Sequence, residues 1–219
     1  MKSNHGIVLF VMNVFICVIF MLASCYGADD SKKFDVIKFG DHNWLVLDSQ
    51  DGKALILSEK VIERRAYRDP ITSITWSECD IRKYLNTEFL ESFSIEDRER
   101  ILDTKVVTNN NPWYNTDGGE DTTDKIFLLS LEEVVKYFGD SGQLNNRPNN
   151  DTHAISDQYN QQRIAYDKYG LASLWWLRSP GALTNLAITI YYVGDVYLIG
   201  ADVDIDVGGV RPALWLMLQ

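Results

Sequence analysis

Apolar runs separated by turn dipeptides dominate both ends of the chain. Near the start, the apolar residues 44–47 and 54–57 flank Asp51-Gly52, which is typical of a hairpin turn. The last fifty residues contain "SLWWLRSPG" and then "AITIYYVGDVYLIGADVDIDVGGVRPALWLML", a succession of β-type segments. Gly194-Asp195 suits a two-residue turn with glycine first. The pattern predicts an N-terminal hairpin and a C-terminal antiparallel sheet, closed by an almost wholly apolar strand.

Helix-type spacing falls between these two β regions. Capping-box spacing occurs at Thr75 with Glu78 and again at Ser130 with Glu133, so a helix is predicted after each pair. Ser94 is placed as the N-cap of a short helix in "SIEDRERIL". "KIFLLS" is predicted as a short buried strand, and "QQRIAYDKYG" as a further helix.

This order of elements predicts one α+β domain, with helices in the first two-thirds and an antiparallel sheet at the C-terminus. Residues 140–160 are polar and rich in Asn, Asp and Gly, so they are expected to form a long surface loop. The two tryptophans Trp175 and Trp176 are adjacent on a predicted strand, so one is expected to point inward and the other outward.

The first thirty residues follow a different pattern. Lys2 precedes an apolar run over residues 7–23, which is typical of an export signal. "LASC" then resembles a bacterial lipobox, in which Cys25 is lipidated and becomes the mature N-terminus. We predict a lipoprotein signal peptide over residues 1–24, a lipidated tether over 25–33 and a single domain over 34–219. The alternatives are an uncleaved membrane anchor and an ordinary secreted protein in which Cys25 is incidental.

Composition and net charge limit the classes of partner and of cross-link that the chain is expected to have. The chain has 219 residues, 46% of them hydrophobic, which suits one domain with a sizeable core. Its formal net charge of −10 argues against a nucleic-acid partner, because phosphates would repel it. After loss of the signal and lipidation of Cys25, Cys79 would be the one remaining thiol, so no intrachain disulfide is expected. Cys79 itself is predicted to be a buried helical residue without catalytic reactivity.

An acidic stretch is the candidate metal site. "NTDGGEDTTDK" brings Asp117, Glu120, Asp121 and Asp124 into eight residues beside two glycines. Oxygen ligands at this density could hold Ca²⁺, although the spacing is not that of an EF-hand. The alternative is a solvated acidic loop. Zinc and iron sites are not expected, because the mature chain offers two histidines and one free thiol.

Two further groups are candidate ligand contacts. In "ADVDIDVGG" the acids Asp202, Asp204 and Asp206 would share one face of a strand, either as a solvated face or as a polar binding surface. The aromatic candidates are Trp113 and Tyr114 in a polar loop, together with Trp176. Aromatic rings stack on sugars but are also ordinary core residues.

The ordered motifs of the chain resemble those of an uncharacterised bacterial domain family, DUF6273. They are "FGDHNWLVL", "ITWSECDIRKYLNTEF", "TTDKIFLLS", "WWLRSPG" and "GGVRPALWL". The closing pair is more distantly similar to C-type-lectin-like folds of the formylglycine-generating-enzyme group. That similarity implies a C-type-lectin-like domain in which Arg178 and Arg211 are structural arginines that tie loops to the sheet. It does not imply the activity of that group, because the active-site cysteine pair and the histidine-rich site are both missing.

Three functional hypotheses follow. The first is a surface lipoprotein, anchored to the outer face of the membrane through its lipid alone, whose non-catalytic domain binds an extracellular glycan or protein. The second is a structural or interaction module of the cell envelope without a small ligand. The third is an envelope hydrolase that uses paired carboxylates, with Asp117, Glu120, Asp121 and Asp124 as the candidates.

Overall fold

The computed structural model describes residues 34–148 and 152–218, all within one compact unit, Lys33–Gln219. The predicted signal segment and Cys25 lie outside the described residues. Within the described ranges no helix has the length and apolarity needed to cross a membrane. Because the unit has a continuous hydrophobic core of its own, we expect it to fold alone.

Fourteen strands and four short α-helices are described. The strands are β1 (Val36–Phe39), β2 (His42–Gln50), β3 (Lys53–Ser58), β4 (Glu63–Arg64), β5 (Thr104–Val106), β6 (Thr122–Asp124), β7 (Ala154–Ile155), β8 (Ala165–Tyr166), β9 (Ala172–Ser173), β10 (Trp175–Pro180), β11 (Leu186–Ile190), β12 (Val196–Asp202), β13 (Gly209–Val210) and β14 (Ala213–Met217). The helices are α1 (Asp80–Tyr84), α2 (Ile95–Arg100), α3 (Leu131–Phe138) and α4 (Asn160–Arg163). A 3₁₀ turn, Trp76–Glu78, precedes α1, and a π-helical segment, Leu85–Phe89, continues it. The fold is mixed α and β, but mostly β.

Two main sheets organise the domain. The first has the order β1-β2-β3-β14, and the second has the order β4-β13-β10-β11-β12-β7. Two small ribbons, β5-β6 and β8-β9, complete the set. The prediction that the sheet lies at the C-terminus is therefore wrong in part, because β1 and the hairpin β2–β3 supply three of the four strands of the first sheet.

The closing strand β14 is the last strand of the first sheet, but it is paired along both edges. It pairs along one edge with β3, from Ala213 opposite Leu57 to Met217 opposite Lys53. Its other edge is bridged by Ile101 and Phe127, and Phe127 exchanges two backbone hydrogen bonds with Ala213 of 2.7 and 2.9 Å. Pairing on both edges satisfies its backbone, and burial of Ala213, Leu214 and Leu216 accounts for its apolar side chains. It also shows that "KIFLLS" is a buried bridging segment rather than a regular strand.

The N-terminal hairpin forms as its sequence indicates. β2 and β3 meet at Asp51-Gly52, where both residues adopt positive φ. The second predicted turn differs, because Ile190 pairs with Val196 and five residues, 191–195, form the loop. Gly194 adopts a φ of 86° there and packs against the backbone of Asn160, which leaves no room for a Cβ atom.

Helix α3 has the predicted start and end. Ser130 and Glu133 form a complete capping box, and Gly139 ends the helix with a φ of 121°. Helix α2 likewise begins at Ser94, whose hydroxyl accepts a hydrogen bond from the Asp97 amide.

Helix α1 begins later than predicted. Thr75 makes no side-chain cap, and Cys79 is the N-cap, its sulfur accepting a hydrogen bond from the Arg82 amide. Burial raises the pKa of the Cys79 thiol to about 12, as expected for an unreactive interior cysteine. The predicted helix in "QQRIAYDKYG" is reduced to the single turn of α4, because the chain then enters β8.

Strand β10 is buried on both faces. All six of its residues, including Trp175 and Trp176, are buried. The prediction that one tryptophan points outward is therefore wrong. Buried and exposed side chains alternate along a strand only if one face of the sheet is in contact with solvent. Here the rest of the domain covers both faces of the strand.

Candidate functional site

The loop aromatics Trp113 and Tyr114 are fixed by Asn111. The buried Asn111 amide donates to the carbonyls of Pro180 and Leu198 at 2.9 Å each, and its oxygen accepts from the amides of Trp113 and Tyr114. The half-buried Trp113 donates from its indole N–H to the Leu144 carbonyl at 3.0 Å. Asn111 therefore positions both rings against the body of the domain.

Arg147 occupies the space beside both rings. Its guanidinium carbon lies 4.9 Å from the ring centroids of Trp113 and Tyr114, and Nη2 donates to the Tyr114 hydroxyl at 3.2 Å. The same hydroxyl contacts Nδ1 of His153 at 2.9 Å. These contacts tie the long polar loop to the domain. They give the two aromatic side chains a structural role, and ligand contact by them stays a prediction.

Trp176 is not available to a ligand. Its exposed fraction is 0%, its indole N–H donates to the Arg65 carbonyl at 2.9 Å, and Gly208 packs directly against its ring. A Cβ atom at position 208 would clash with the indole nitrogen. Trp176 therefore has no exposed surface with which to contact a ligand.

The three acids of "ADVDIDVGG" do not share a strand. Asp202 ends β12, while Asp204 and Asp206 lie in the turn that follows. All three are exposed, and Val203 between them is buried. The predicted common face is therefore absent, because the strand ends one residue into the acidic pattern.

The acidic stretch 117–124, here called the acidic segment, does not converge on one point. The Asp124 side chain is 1% exposed; it accepts from Nε of Arg82 at 2.8 Å, from the Trp76 indole at 3.0 Å and from the Thr122 hydroxyl at 2.6 Å. Asp121 pairs with Lys105 at 2.9 Å.

The remaining acids of this segment, Asp117 and Glu120, are exposed and line an open polar hollow with Asp121. Asp117 accepts a hydrogen bond from the Gly119 amide. Among the described residues, no group of three or more His, Cys, Asp or Glu side chains is placed to hold a metal ion. The residues present therefore do not fit the candidate calcium site. Asp124, buried against Arg82, is also unsuited to a catalytic carboxylate pair.

Arg178 and Arg211 are both buried but have different partners. Arg178 forms a bidentate pair with Glu133 at 2.6 and 3.2 Å, and it also donates to the carbonyls of Leu128 and Val107. It thereby joins β10 to the capping box of α3 and to the chain after β5. These contacts of Arg178 connect loops to the sheet, which is the role that the resemblance implies for it.

Arg211 has no carboxylate partner among the described residues. Its Nε donates to the Ser58 carbonyl at 2.9 Å and Nη2 to the Glu59 carbonyl at 3.4 Å, while Nη1 is buried without a hydrogen bond. The guanidinium carbon lies 4.9 Å from the centroid of a Trp175 ring. Burial lowers the pKa of Arg211 to about 9, so the side chain is still charged at neutral pH.

The segment supported by Arg211 borders a groove. Three adjoining hollows share Ile62, and their volumes are about 310, 370 and 550 Å³. The groove runs across the connection from β3 to β4, between the β1–β2 turn, helix α1 with its π segment, and the β8–β9 turn. Concave surfaces that mix apolar floors with a few polar groups are typical ligand sites.

One end of the groove is aromatic. It is lined by Tyr84, Phe89 and Phe93, with His42 and Glu63 beside them. The guanidinium carbon of Arg65 lies 3.9 Å from the centroid of the Tyr84 ring. Burial raises the pKa of Tyr84 to about 12, with a further contribution from nearby Glu63, so its hydroxyl remains a hydrogen-bond donor at neutral pH.

The opposite end carries exposed apolar side chains. Tyr169 is 76% exposed and Leu171 is 61% exposed, both on the β8–β9 turn. Asp167 holds this turn by accepting from the amides of Tyr169 and Leu171 at 2.9 and 3.0 Å, and it pairs with Arg64 at 3.3 Å. These hydrogen bonds, that of Leu171 first, lower the pKa of the Asp167 carboxyl. The turn is thus a fixed wall of the groove.

The central part is here called the lysine hollow. It is lined by Lys38, Lys60 and Lys168, with Asp41, His42, Asn43, Ser58 and Glu59. Burial lowers the pKa of His42 below 6.5, and Lys38 adds to this effect while Asp41 opposes it. His42 is therefore mainly neutral at pH 7.

The hydroxyls of the groove are not arranged for nucleophilic catalysis. Ser58 donates to the Lys60 carbonyl at 2.9 Å, and Ser92 donates to the Phe89 carbonyl at 2.6 Å. Neither bond involves His42, and a nucleophile needs a base in hydrogen-bond reach.

Sequence reasoning missed this groove. Its lining comes from four separated segments, two of which overlap the family motifs at residues 39–47 and 74–89, and the lysines lie 22 and 108 positions apart in the chain. The one local signal was "DKYGL" at residues 167–171, where an aromatic residue beside glycine occurs in a polar turn.

Comparison with known proteins gives the family and nothing further. A family model described as Domain of unknown function (DUF6273) matches residues 51–218, which include the floor of the groove but not Lys38 or His42. No curated protein and no solved structure matches the chain significantly. The predicted membership is confirmed by this match over more than half of the chain, and the chain belongs to the DUF6273 family.

Proposed function

We propose that this chain is an exported, lipid-anchored binding protein of the bacterial cell envelope, whose lectin-like domain holds an extracellular glycan or protein in the groove around Ile62. The observation that carries the proposal is the continuity of the groove. An aromatic end, a polar centre and an exposed apolar wall adjoin within one concavity.

The arrangement of strands supports a lectin-like domain. The chain's last strand, β14, pairs with the hairpin near its beginning, so the domain is closed by the segment that follows "GGVRP". Arg178 and Arg211 join this frame to neighbouring loops through carbonyl groups. A closing strand and loop-tying arginines are what the resemblance implies.

The exposed wall supports a binding role. Tyr169 and Leu171 remain in water although the fold holds their turn rigidly through Asp167. A fixed, exposed aromatic and aliphatic pair offers contact area at little entropic cost to a ligand. Tyrosine in particular combines a stacking face with a hydrogen-bonding hydroxyl.

The test is a binding screen on residues 29–219, which contain the whole compact unit. A glycan array and an envelope extract would be probed with the wild type and with the double variant Tyr169→Ala/Leu171→Ala. We expect binding that the double variant reduces by at least about tenfold, since loss of two contact side chains typically removes more than 1 kcal/mol. Repeating the screen with EDTA should leave binding unchanged, because the acidic segment does not form a metal site.

The matched control is Tyr192→Ala/Leu183→Ala. Leu183 is 61% exposed like Leu171, and Tyr192 is also exposed, but neither lines the groove. Equal loss of binding in both double variants would refute the groove as the site. Absence of any glycan or extract binding would refute the proposed function and favour a structural module of the envelope.

A further inference from the structure

Three lysines from distant parts of the chain meet at the lysine hollow. Lys38 lies on β1, Lys60 follows β3, and Lys168 lies in the β8–β9 turn. All three side chains are exposed. The ammonium group of Lys38 donates to the Asp41 carbonyl at 2.7 Å, which holds it at the rim.

These lysines form no ion pairs within the part of the chain that the structure describes. The lysine ion pairs there are those of Lys105, Lys125 and Lys136, all outside the hollow. In a protein with a formal net charge of −10, acids are abundant, so a group of three lysines without carboxylate partners is notable. The ammonium group of Lys168 lies 5.1 Å from the centroid of the Tyr169 ring, and its charge acts on the neighbouring carboxyl of Asp167.

Arg211 adds a buried charge under the same hollow. Its guanidinium donates to the carbonyls of Ser58 and Glu59, two residues that line the hollow from the β3 side. Arg211 is buried and forms no ion pair in the described chain, so its charge contributes to the local potential, which the nearby carboxylate of Glu59 partly offsets. Its Nη1 has no hydrogen-bond partner there either.

Two acids reduce this positive potential without cancelling it. Asp41 and Glu59 also line the hollow, and one oxygen of Glu59 accepts a hydrogen bond from the Asn43 amide at 3.0 Å. Three lysines and Arg211 therefore face two carboxylates. The hollow is a local centre of positive charge on an acidic protein.

We propose that the lysine hollow binds a phosphate group of the ligand, with Lys38, Lys60 and Lys168 as its direct contacts. This inference rests on the proposed function, since it assigns the centre of the same groove to an anionic part of the ligand. Lysines suit phosphate because an ammonium is a flexible point charge with three donors. The amide of Asn43 and the ring of His42 supply further polar contacts at the rim.

The first experiment is a titration of the domain, residues 29–219, with inorganic tripolyphosphate. Binding is monitored through the NMR chemical shifts of the backbone amides. We expect saturable shifts centred on residues 58–62 and on His42, weakening as salt is added. The double variant Lys60→Gln/Lys168→Gln should bind about thirtyfold more weakly, because each lysine near an anionic group contributes roughly a factor of five.

The control double variant is Lys83→Gln/Lys105→Gln, which removes the same charge from side chains that do not line the hollow. It should bind within about twofold of the wild type if the effect is local. Equal weakening in both double variants, or wild-type shifts that map elsewhere, would overturn the proposal. So would a lack of tripolyphosphate binding by the wild type.

A second arm distinguishes a lipid headgroup from a soluble phosphate ester. Co-sedimentation with phosphatidylglycerol vesicles, lost in the Lys60/Lys168 variant and absent with phosphatidylcholine, would identify a membrane headgroup. Lysine-dependent tripolyphosphate binding without vesicle binding would identify a soluble or polymeric phosphate. If the glycan and extract screen is silent while tripolyphosphate binding depends on the lysines, the proposed function fails and the phosphate site stands. The reverse pattern refutes the phosphate site alone.

Discussion

The acidic segment and the lysine hollow carry opposite charges and are assembled in opposite ways. The acids of residues 117–124 are neighbours in sequence, yet in the structure Asp124 turns inward to Arg82 while Asp121 pairs with Lys105 at the surface. The lysines of the hollow are far apart in sequence and meet at one concavity. Density of charge along a chain is therefore a weak guide to a binding site, since the fold decides which side chains face a common point.

The largest expected effect is on the free energy of unfolding, and it distinguishes Asp124 from the other acids of the acidic segment. Asp124→Ala should lower the free energy of unfolding by about 3 kcal/mol, because it leaves Arg82 and the Trp76 indole without their buried acceptor. Asp121→Ala should change it by less than about 0.5 kcal/mol, since its pair with Lys105 is exposed. Urea unfolding at pH 7 measures both, and similar values would contradict the assignment of Asp124 to the core.

The two buried arginines allow a second contrast, between Arg178, which pairs with Glu133, and Arg211, which lies under the lysine hollow without an ion pair in the described chain. Arg178→Met should cost about 2 kcal/mol, because Glu133 loses a bidentate partner. Arg211→Met should cost about 1 kcal/mol or less, since relief of an unpaired buried charge offsets the lost bonds to two carbonyls.

Tripolyphosphate binding provides the contrast between these two variants. It should weaken in Arg211→Met and remain unchanged in Arg178→Met, because Arg211 alone lies under the lysine hollow. Thermal or urea unfolding and the NMR titration supply the measurements. If Arg211→Met lowered the free energy of unfolding more than Arg178→Met, this prediction would be wrong, and Arg211 would stabilise the fold more than Arg178 does.

A smaller effect concerns His42 beside the hollow. Its pKa lies below 6.5 in the folded protein, so the unfolded chain binds a proton first as the pH falls. The contribution of His42 to stability is thus complete above pH 6.5 and is lost as the pH falls through the folded pKa. Replacement by Gln should reduce the loss of stability between pH 7 and pH 5.

Ligand binding should reverse the shift at His42. A phosphate in the lysine hollow would favour the imidazolium form, so tripolyphosphate should raise the pKa of His42 measured by NMR. Asp41 and Lys38 are the charged neighbours of the ring and act in both states. An unchanged His42 pKa in the saturated complex would place the anion elsewhere.

The smallest expected effect belongs to the acidic segment. Millimolar calcium should shift the melting temperature of the domain by less than about 1 °C, because a ligand stabilises only in proportion to its binding and the described acids do not converge. Differential scanning fluorimetry with calcium and with EDTA is sufficient. A clear stabilisation, lost in Asp117→Asn/Glu120→Gln, would restore the predicted metal site.

Local signals in the sequence predicted local structure well. The Asp51-Gly52 hairpin and the capping box of α3 are short-range patterns, and the structure contains both. The cap of α1 was misassigned to Thr75, because Cys79 makes the hydrogen bond to Arg82 instead. Spacing alone does not show which of two nearby residues bends the chain into the helix.

Long-range features were beyond these patterns. The burial of both tryptophans in β10 depends on other elements covering each face of the sheet. The groove depends on turns that are distant in sequence. Neither leaves a periodic signal within a window of ten or twenty residues.

The sequence by itself determined the Asp51-Gly52 turn, the caps of α2 and α3, the apolar character of the closing strand and membership of the DUF6273 family. Each follows from residues close together or from an ordered set of motifs. Tertiary structure decided that β14 is paired on both edges, that Arg211 is buried without a carboxylate partner in the described chain, and that Lys38, Lys60 and Lys168 share a hollow. The physical reason is that burial and electrostatic potential depend on which distant segments meet, and the fold alone sets those meetings.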